Sequence, residues 1–290
     1  MKLPGKAFII TGAGRGLGRA IAGRYAREGA SLVLTSRTAS ELADCANELA
    51  LIASSEQRIT TLAADLAASD TAEALVTHCL ARLGRLDGVV CNAGQIGPIG
   101  TLAQSQPEAW EAVFACNLFG HVRLCRVAVP RMAETGGGKL ILLSGGGATS
   151  PLPGFTAYAA SKAALVRFAE TLSGETQNDG ISVNTVAPGV LDTRMTRTAL
   201  SAGPAVLGAA YVARLQSELE RAETTLREAV DLCLFLAGPE SDGITGRLIS
   251  ARWDRWRDWP QHGEALAPSD AYTLRRITGR DRGLDWGDNT

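Results

Sequence analysis

What most restricts the fold of this chain is a strict alternation between short apolar runs and longer segments of helical periodicity. Strands are expected at Ala7–Thr11, Ser31–Thr35, Ile59–Ala63, Gly88–Cys91, Lys139–Leu143, Ser182–Val186 and Arg247–Ser250. Runs such as Ala-Phe-Ile-Ile and Leu-Ile-Leu-Leu carry no polar side chain, as strands buried on both faces do. Helices are expected near 17–29, 39–54, 69–84, 107–134, 157–178 and 223–237. A strand, a helix and a second strand in succession join parallel neighbours through a right-handed crossover. The seven runs therefore predict an α/β fold: a doubly wound, seven-stranded parallel sheet with helices on both faces.

No repeat or Gly/Ser-rich linker divides the chain, so residues 1–250 are expected to form a single domain. Two parts are additions to that core: a helical insert over 194–222 and a Trp- and Arg-rich tail over 251–290. Of the 290 residues 46% are apolar and 20% charged, enough for a sizeable core. A net charge of −1 supplies no global attraction to nucleic acid or anionic membrane, and neither is expected as a partner. No uninterrupted apolar run reaches the roughly 18 residues of a membrane span. The first strand begins too soon to leave room for a signal peptide. The six cysteines form no CxxC pair and lie in apolar segments, which points to free thiols in a reducing cytoplasm. His78, His121 and His262 share no ligand spacing and are read as structural or surface residues; no metal site is expected.

Thr11-Gly12-Ala13-Gly14-Arg15-Gly16-Leu17-Gly18 follows the first strand and opens the first helix. Glycines there let the backbone approach a ligand, and the helix N-terminus offers free N–H groups to a pyrophosphate. Cofactor choice is read at the end of the second strand, where a carboxylate would bind the ribose 2′-OH and repel a 2′-phosphate. The segment reads Leu34-Thr35-Ser36-Arg37 and has none. Arg37 can fork onto a 2′-phosphate, with Arg15 approaching from the other side. NADP(H) is therefore favoured over NAD(H); the alternative is that Arg37 stacks on adenine or faces solvent.

Tyr158-Ala159-Ala160-Ser161-Lys162 starts a helix, and its i, i+4 spacing places phenol and ammonium on one face. A free phenol titrates near 10, so it needs help to act as a base at neutral pH. A neighbouring ammonium and a positive nicotinamide ring both favour the phenolate. The group can then protonate an alkoxide formed from a ketone, or deprotonate an alcohol in reverse.

With the glycine loop and this pair in place, the chain resembles the short-chain dehydrogenase/reductase family over about residues 5–250. The resemblance rests on TGxxxGxG at 11–18, Asn92-Ala93-Gly94, Asn117 in Cys-Asn-Leu-Phe-Gly, Ser144, Tyr158-xxx-Lys162 and Pro188-Gly189, in that order. It implies a Rossmann fold and hydride transfer between a nicotinamide cofactor and a carbonyl or secondary alcohol. It also implies a homodimer or homotetramer, with the helices near 107–134 and 157–178 pairing across subunits.

By resemblance, Tyr158 is the proton donor or acceptor. Lys162 lowers its pKa and holds the nicotinamide ribose, Ser144 holds the substrate oxygen, and Asn117 positions a relay water. Gly12, Gly14, Arg15, Gly16, Leu17 and Gly18 cradle the pyrophosphate, while Asp65 and Leu66 border the adenine. Asn92, Ala93 and Gly94 pack beside the ribose, and Pro188, Gly189, Val190 and Thr193 border the nicotinamide and fix which ring face donates hydride. One departure stands out: the family's serine usually lies thirteen residues before the tyrosine, a position held here by Gly145. A one-residue bulge among Gly145, Gly146 and Gly147 would restore Ser144 to the site; otherwise the usual second hydroxyl is missing.

The insert is expected to wall the substrate pocket, and its small apolar first half, Met195–Val212, suggests an apolar lining. The alternative is that it only packs on the core. The tail's Trp253, Trp256 and Trp259 suggest a turn or short helix anchored on the body or on a neighbouring subunit. Its interleaved Arg and Asp suggest surface ion pairs. A sharper alternative has the tail crossing the site and presenting an arginine to an anionic substrate. Two other functions stay open: epimerisation or dehydration through transient oxidation, and a cofactor-binding regulator without catalysis.

Overall fold

The computed structural model describes residues 1–284, so the last six residues of the expected tail, 285–290, lie outside the described residues. The order of elements through the first half is β1 (Ala7–Thr11), α1 (Gly16–Arg27), β2 (Ser31–Ser36), α2 (Ala39–Ala50), β3 (Ile59–Ala63), α3 (Thr71–Leu83) and β4 (Gly88–Cys91). Then come α4 (Pro107–Phe114), α5 (Gly120–Ala133), β5 (Gly138–Leu143), α6 (Thr156–Glu175) and β6 (Ile181–Ala187). The insert forms α7 (Arg194–Ser201), α8 (Pro204–Leu207) and α9 (Ala209–Leu219), followed by α10 (Ala222–Ala237), β7 (Leu248–Ser250) and α11 (Gly263–Leu266).

All seven strands are parallel, in the order β3-β2-β1-β4-β5-β6-β7. The pleat sends alternate side chains into opposite layers: Phe8, Ile10, Leu32 and Leu34 join one core cluster, while Ile9 and Val33 join the other. This two-sided burial is why the strands read as continuous apolar runs rather than as alternating ones. The chain moves outward from β1 to β3, then returns to β4 on the other side of β1. At that reversal the loops diverge and leave a crevice beyond the carboxyl ends of the strands.

The helix expected over 107–134 is continuous from Pro107 to Ala133, but α4 and α5 meet through a π-helical turn at Ala115–Phe119. By length and composition this 27-residue stretch could cross a membrane. Its inner face, Leu124, Cys125, Ala128 and Met132, is packed into the core. Gly120 permits that packing, because a Cβ there would lie 2.5 Å from the Leu66 carbonyl oxygen.

The tail is part of the body. Trp256 and Trp259 sit in a short 3-10 helix at Trp256–His262 and are buried in the same cluster as β1, α1 and α10. Arg247, at the start of the last strand, donates to four tail carbonyls, those of Leu266, Ala267, Ser269 and Ala271. The Leu248 N–H donates to the Tyr272 carbonyl at 2.8 Å, so the tail occupies the free edge of β7. Tail arginines pair locally, Arg255 with Asp258 and Arg275 with Asp281.

Candidate active site

The glycine loop is shaped by close approaches as well as by dihedrals. Gly12 has φ +66° and Gly16 φ +55°, both left-handed. A Cβ at Gly12 would lie 2.9 Å from Asn92 Nδ2, and one at Gly18 would collide with the Gly12 carbonyl. Thr11 fastens this loop to the next strand: its Oγ accepts from the N–H groups of Asn92 and Ala93, each at 2.9 Å. Asn92 Nδ2 donates in return to the carbonyls of Thr11 and Gly12, at 2.8 and 3.2 Å. Asn92 is thus a brace for the loop, a role its position in the sequence did not announce. No side chain caps the start of α1 and its first turn holds no acid, so its free N–H groups face the crevice.

The crevice is one continuous cavity of about 1060 Å³. Its floor and one end are formed by Gly12, Gly14, Arg15, Gly16, Leu17, Arg37, Asp65, Leu66, Asn92, Ala93 and Gly94. Its other end is formed by Ser144, Tyr158, Lys162, Pro188, Gly189, Val190 and Thr193. Gly18 lies directly behind this wall, against Gly12, and Asn117 lies beneath the floor, fully buried. The volume, the uncapped helix end and the glycines without room for a side chain all suit an extended dinucleotide.

The cations at the adenosine end are not equivalent. Arg37 lines the cavity and makes no ion pair among the described residues. Arg15 is held instead by a two-pronged contact with Glu41, at 2.8 and 3.0 Å, and Arg194 joins the same carboxylate at 3.2 Å. Glu41 escaped the sequence reading because it lies beyond the end of β2, in the first turn of α2.

At the opposite end, α6 presents Tyr158 and Lys162 to the cavity. Lys162 is 3% exposed and its Nζ donates to the Leu143 carbonyl at 2.7 Å, 5.9 Å from the centre of the Tyr158 ring. Burial lowers its pKa to about 8. Burial, reinforced by Tyr211, pushes the Tyr158 phenol up to about 12. Lys162 gives one of its three N–H groups to the Leu143 carbonyl while lying beside the Tyr158 ring. The protein by itself holds Tyr158 as an acid.

Asn117 lies in the π-helical turn, its Nδ2 donating to the Gln95 carbonyl and to Ser161 Oγ at 2.9 and 3.0 Å. Its Oδ1 accepts from the Gln95 N–H at 2.8 Å, and Gly94 leaves room between this amide and Lys162. A wide turn spoils the regular pairing of backbone carbonyls. The Asn117 carbonyl meets His121 Nδ1 at 3.1 Å. His121 is fully buried, and burial, helped by the Lys162 charge, lowers its pKa to about 3, so it is neutral. His121, read as a structural or surface residue, thus holds the backbone at Asn117.

The β5–β6 ladder carries no bulge as far as Ser144. Leu142 pairs with Thr185, Leu143 with Val186, and the Ser144 N–H continues the ladder to the Val186 carbonyl at 2.8 Å. Ser144 is 4% exposed and its Oγ has no hydrogen-bond partner among the described residues. It is Gly145 that faces the phenol: a Cβ there would lie 2.6 Å from Tyr158 Oη. Alternation of side chains along an extended strand end accounts for the difference, since adjacent residues point to opposite sides.

The insert closes the cavity, as expected of a pocket wall, but its lining is mixed rather than apolar. Phe155, Ala199 and Leu215 form a small buried cluster against which Tyr158, Val190 and Tyr211 pack. Around it, α9 turns Tyr211, Arg214 and Glu218 to the cavity, and the loop before α7 adds Asp192, paired with Arg197 at 2.8 Å. Among the described tail residues only Trp253 lines the cavity; it is 74% exposed, with Arg252 stacked on it at 4.3 Å.

Fold and site together define a doubly wound α/β protein with a Tyr–Lys pair at the carboxyl end of its sheet, facing a dinucleotide-sized cleft. The family model for short chain dehydrogenases matches residues 6–203. The chain belongs to the short-chain dehydrogenase/reductase family, whose members are oxidoreductases of alcohol and carbonyl substrates. It is 31% identical over 249 residues to a glucose 1-dehydrogenase of Gluconobacter oxydans, covering 86% of this chain and 91% of that one. It is also 31% identical over 198 residues to a benzil reductase of Saccharomyces cerevisiae, covering 66% and 73%. Among solved structures, the oxidoreductase yciK of E. coli superposes with a TM-score of 0.75 at 26% identity, covering 87% of this chain and 96% of that one.

Proposed function

We propose that this chain is an NADP(H)-dependent carbonyl reductase, running in reverse as an alcohol dehydrogenase, with Tyr158 as its general acid and base. The observation that carries this reading is one cavity leading from the uncapped α1 N-terminus to the Tyr158 phenol. A nicotinamide cofactor held along the glycine loop and beside Pro188, Gly189 and Thr193 would supply the hydride. Tyr158, protonated at neutral pH, donates its proton to the carbonyl oxygen, and no free alkoxide need form. Lys162 carries a charge near the phenolate that remains, and Asn117 and Gly94 hold the space beside its ammonium. Ala199 and Leu215 of the insert cluster with Phe155, just before α6, against Tyr158 and so keep water from the reacting atoms.

The preference for NADP(H) rests on Arg37, the cation of the adenosine end with no ion pair among the described residues, and on the lack of a carboxylate at the end of β2. Arg15, bound to Glu41, contributes less than its sequence position suggested. Measured Michaelis constants for NADPH and NADH test this: NADPH is expected to be at least about tenfold lower, an energy of one charge-assisted contact. A lower constant for NADH overturns the preference. Benzil, with apolar rings for the cluster beside Tyr158, is the first ketone to assay; glucose is the polar counterpart.

Assembly as a homodimer or homotetramer is supported by an aromatic ladder on the α4–α5 face, where Trp110 stacks on Phe114 at 4.6 Å and Phe119 is 49% exposed. Six free thiols suit a reducing compartment such as the cytoplasm.

A further inference from the structure

We propose that Tyr211, on α9 of the insert, supplies the second hydroxyl that holds the substrate's carbonyl oxygen beside Tyr158. This rests on the carbonyl-reductase reading above and assigns a catalytic residue within it.

The end of β5 offers the substrate no hydroxyl at the position facing the phenol. That position is Gly145, whose α-carbon lies so close that even a Cβ would stand 2.6 Å from Tyr158 Oη. Ser144, the neighbouring hydroxyl, continues the β5–β6 ladder and is buried with its Oγ unpaired. A developing alkoxide with one donor instead of two loses a large part of its stabilisation. Of the other hydroxyls lining this end of the cavity, those of Thr193, Thr196 and Ser250 are engaged in local hydrogen bonds, which leaves Thr149, Ser150 and Tyr211. Thr149 and Ser150 are exposed on the loop after β5, where water competes for them.

Tyr211 is placed differently. It is half-buried and packs against the same small cluster as Tyr158, that of Phe155, Ala199 and Leu215. Its ring lies 5.6 Å from that of Phe155, and Leu215, one turn along α9, anchors this face of the helix. Arg214 lies over the ring at 5.2 Å, which helps to hold its plane. No protein group among the described residues pairs with the Tyr211 hydroxyl, leaving it for a ligand. Tyr211 also helps to raise the pKa of Tyr158.

In the reaction, the carbonyl carbon gains hydride from NADPH and the oxygen gains the Tyr158 proton, which gives the alcohol, NADP⁺ and a Tyr158 phenolate. Tyr211 donates a hydrogen bond to that oxygen and keeps its own proton throughout. Because α9 belongs to the insert, the site is complete only when the insert is seated.

The test is Tyr211→Phe, which keeps the ring against Phe155 and removes only the hydroxyl. With benzil and NADPH, kcat is expected to fall about 10²-fold, with the dissociation constant for NADPH, from fluorescence titration, unchanged. Retained kcat, or a loss matched by weaker NADPH binding, overturns the proposal. A second measurement needs no turnover. Phenol ionisation followed at 295 nm, with Tyr158→Phe as the subtraction, isolates the titration of Tyr158 in each background. Tyr211→Phe is expected to move that titration to lower pH, and an unmoved curve overturns the proposal whether or not benzil is reduced. Undiminished turnover by Tyr158→Phe would instead overturn the underlying reading.

Discussion

Lys162 carries its ammonium at 3% exposure, and the fold bears the cost of that burial. Its pKa falls from 10.5 unfolded to about 8 folded, so the fold is penalised while the group is charged, below about pH 8. The penalty fades as pH rises from about 8 toward 10.5, and at pH 7 it amounts to about 3 kcal/mol. Lys162→Met should therefore raise the melting temperature at pH 7 and lose that advantage above pH 10, while turnover collapses. Thermal unfolding across pH, beside steady-state assays, checks both signs. In the wild type, reductase activity should decline as pH rises through about 8, where the ammonium is lost. Ser144→Ala should leave turnover within a few-fold of wild type, because the hydroxyl it removes is buried and it is the next residue, Gly145, that faces the phenol. A loss of 10²-fold or more would restore Ser144 to the mechanism.

Among the elements, those made by local pattern were legible and those made by distant packing were not. β1, β3 and β4 fall on the residues expected, since two-sided burial writes an apolar run with sharp ends. The glycine loop and the Tyr158–Lys162 pair were equally readable, because each is a local spacing on one element. The π-helical turn at Asn117, the hold of His121 on its carbonyl and the reach of Glu41 to Arg15 and Arg194 depend on pairs that no spacing reveals. The course of the chain at Ser144 was hard to read for a related reason: whether a strand end bulges is decided by its neighbour β6 as well as by its own glycines. The tail follows the same logic. Trp256, 2% exposed against Phe235, makes residues beyond β7 part of the core. Trp256→Ala should cost about 3–5 kcal/mol in denaturant unfolding, against less than about 1 kcal/mol for the exposed Trp253→Ala.

At the scale of the molecule, the parallel sheet, its reversal beside β1 and the insert cooperate to bring a dinucleotide cleft and a phenol to the two ends of one cavity. The exposed Phe119 on the α4–α5 face belongs to the proposed assembly. Phe119→Glu should reduce the sedimentation mass toward that of one chain without unfolding it; an unchanged mass places the interface elsewhere. The account as a whole turns on proton transfer by Tyr158, and single-turnover reduction of benzil by NADPH at pH 7 tests it most directly. Tyr158→Phe is predicted to slow that step by about 10²–10⁴-fold with NADPH affinity intact. A Tyr158→Phe protein that reduces the ketone at the wild-type rate would contradict it.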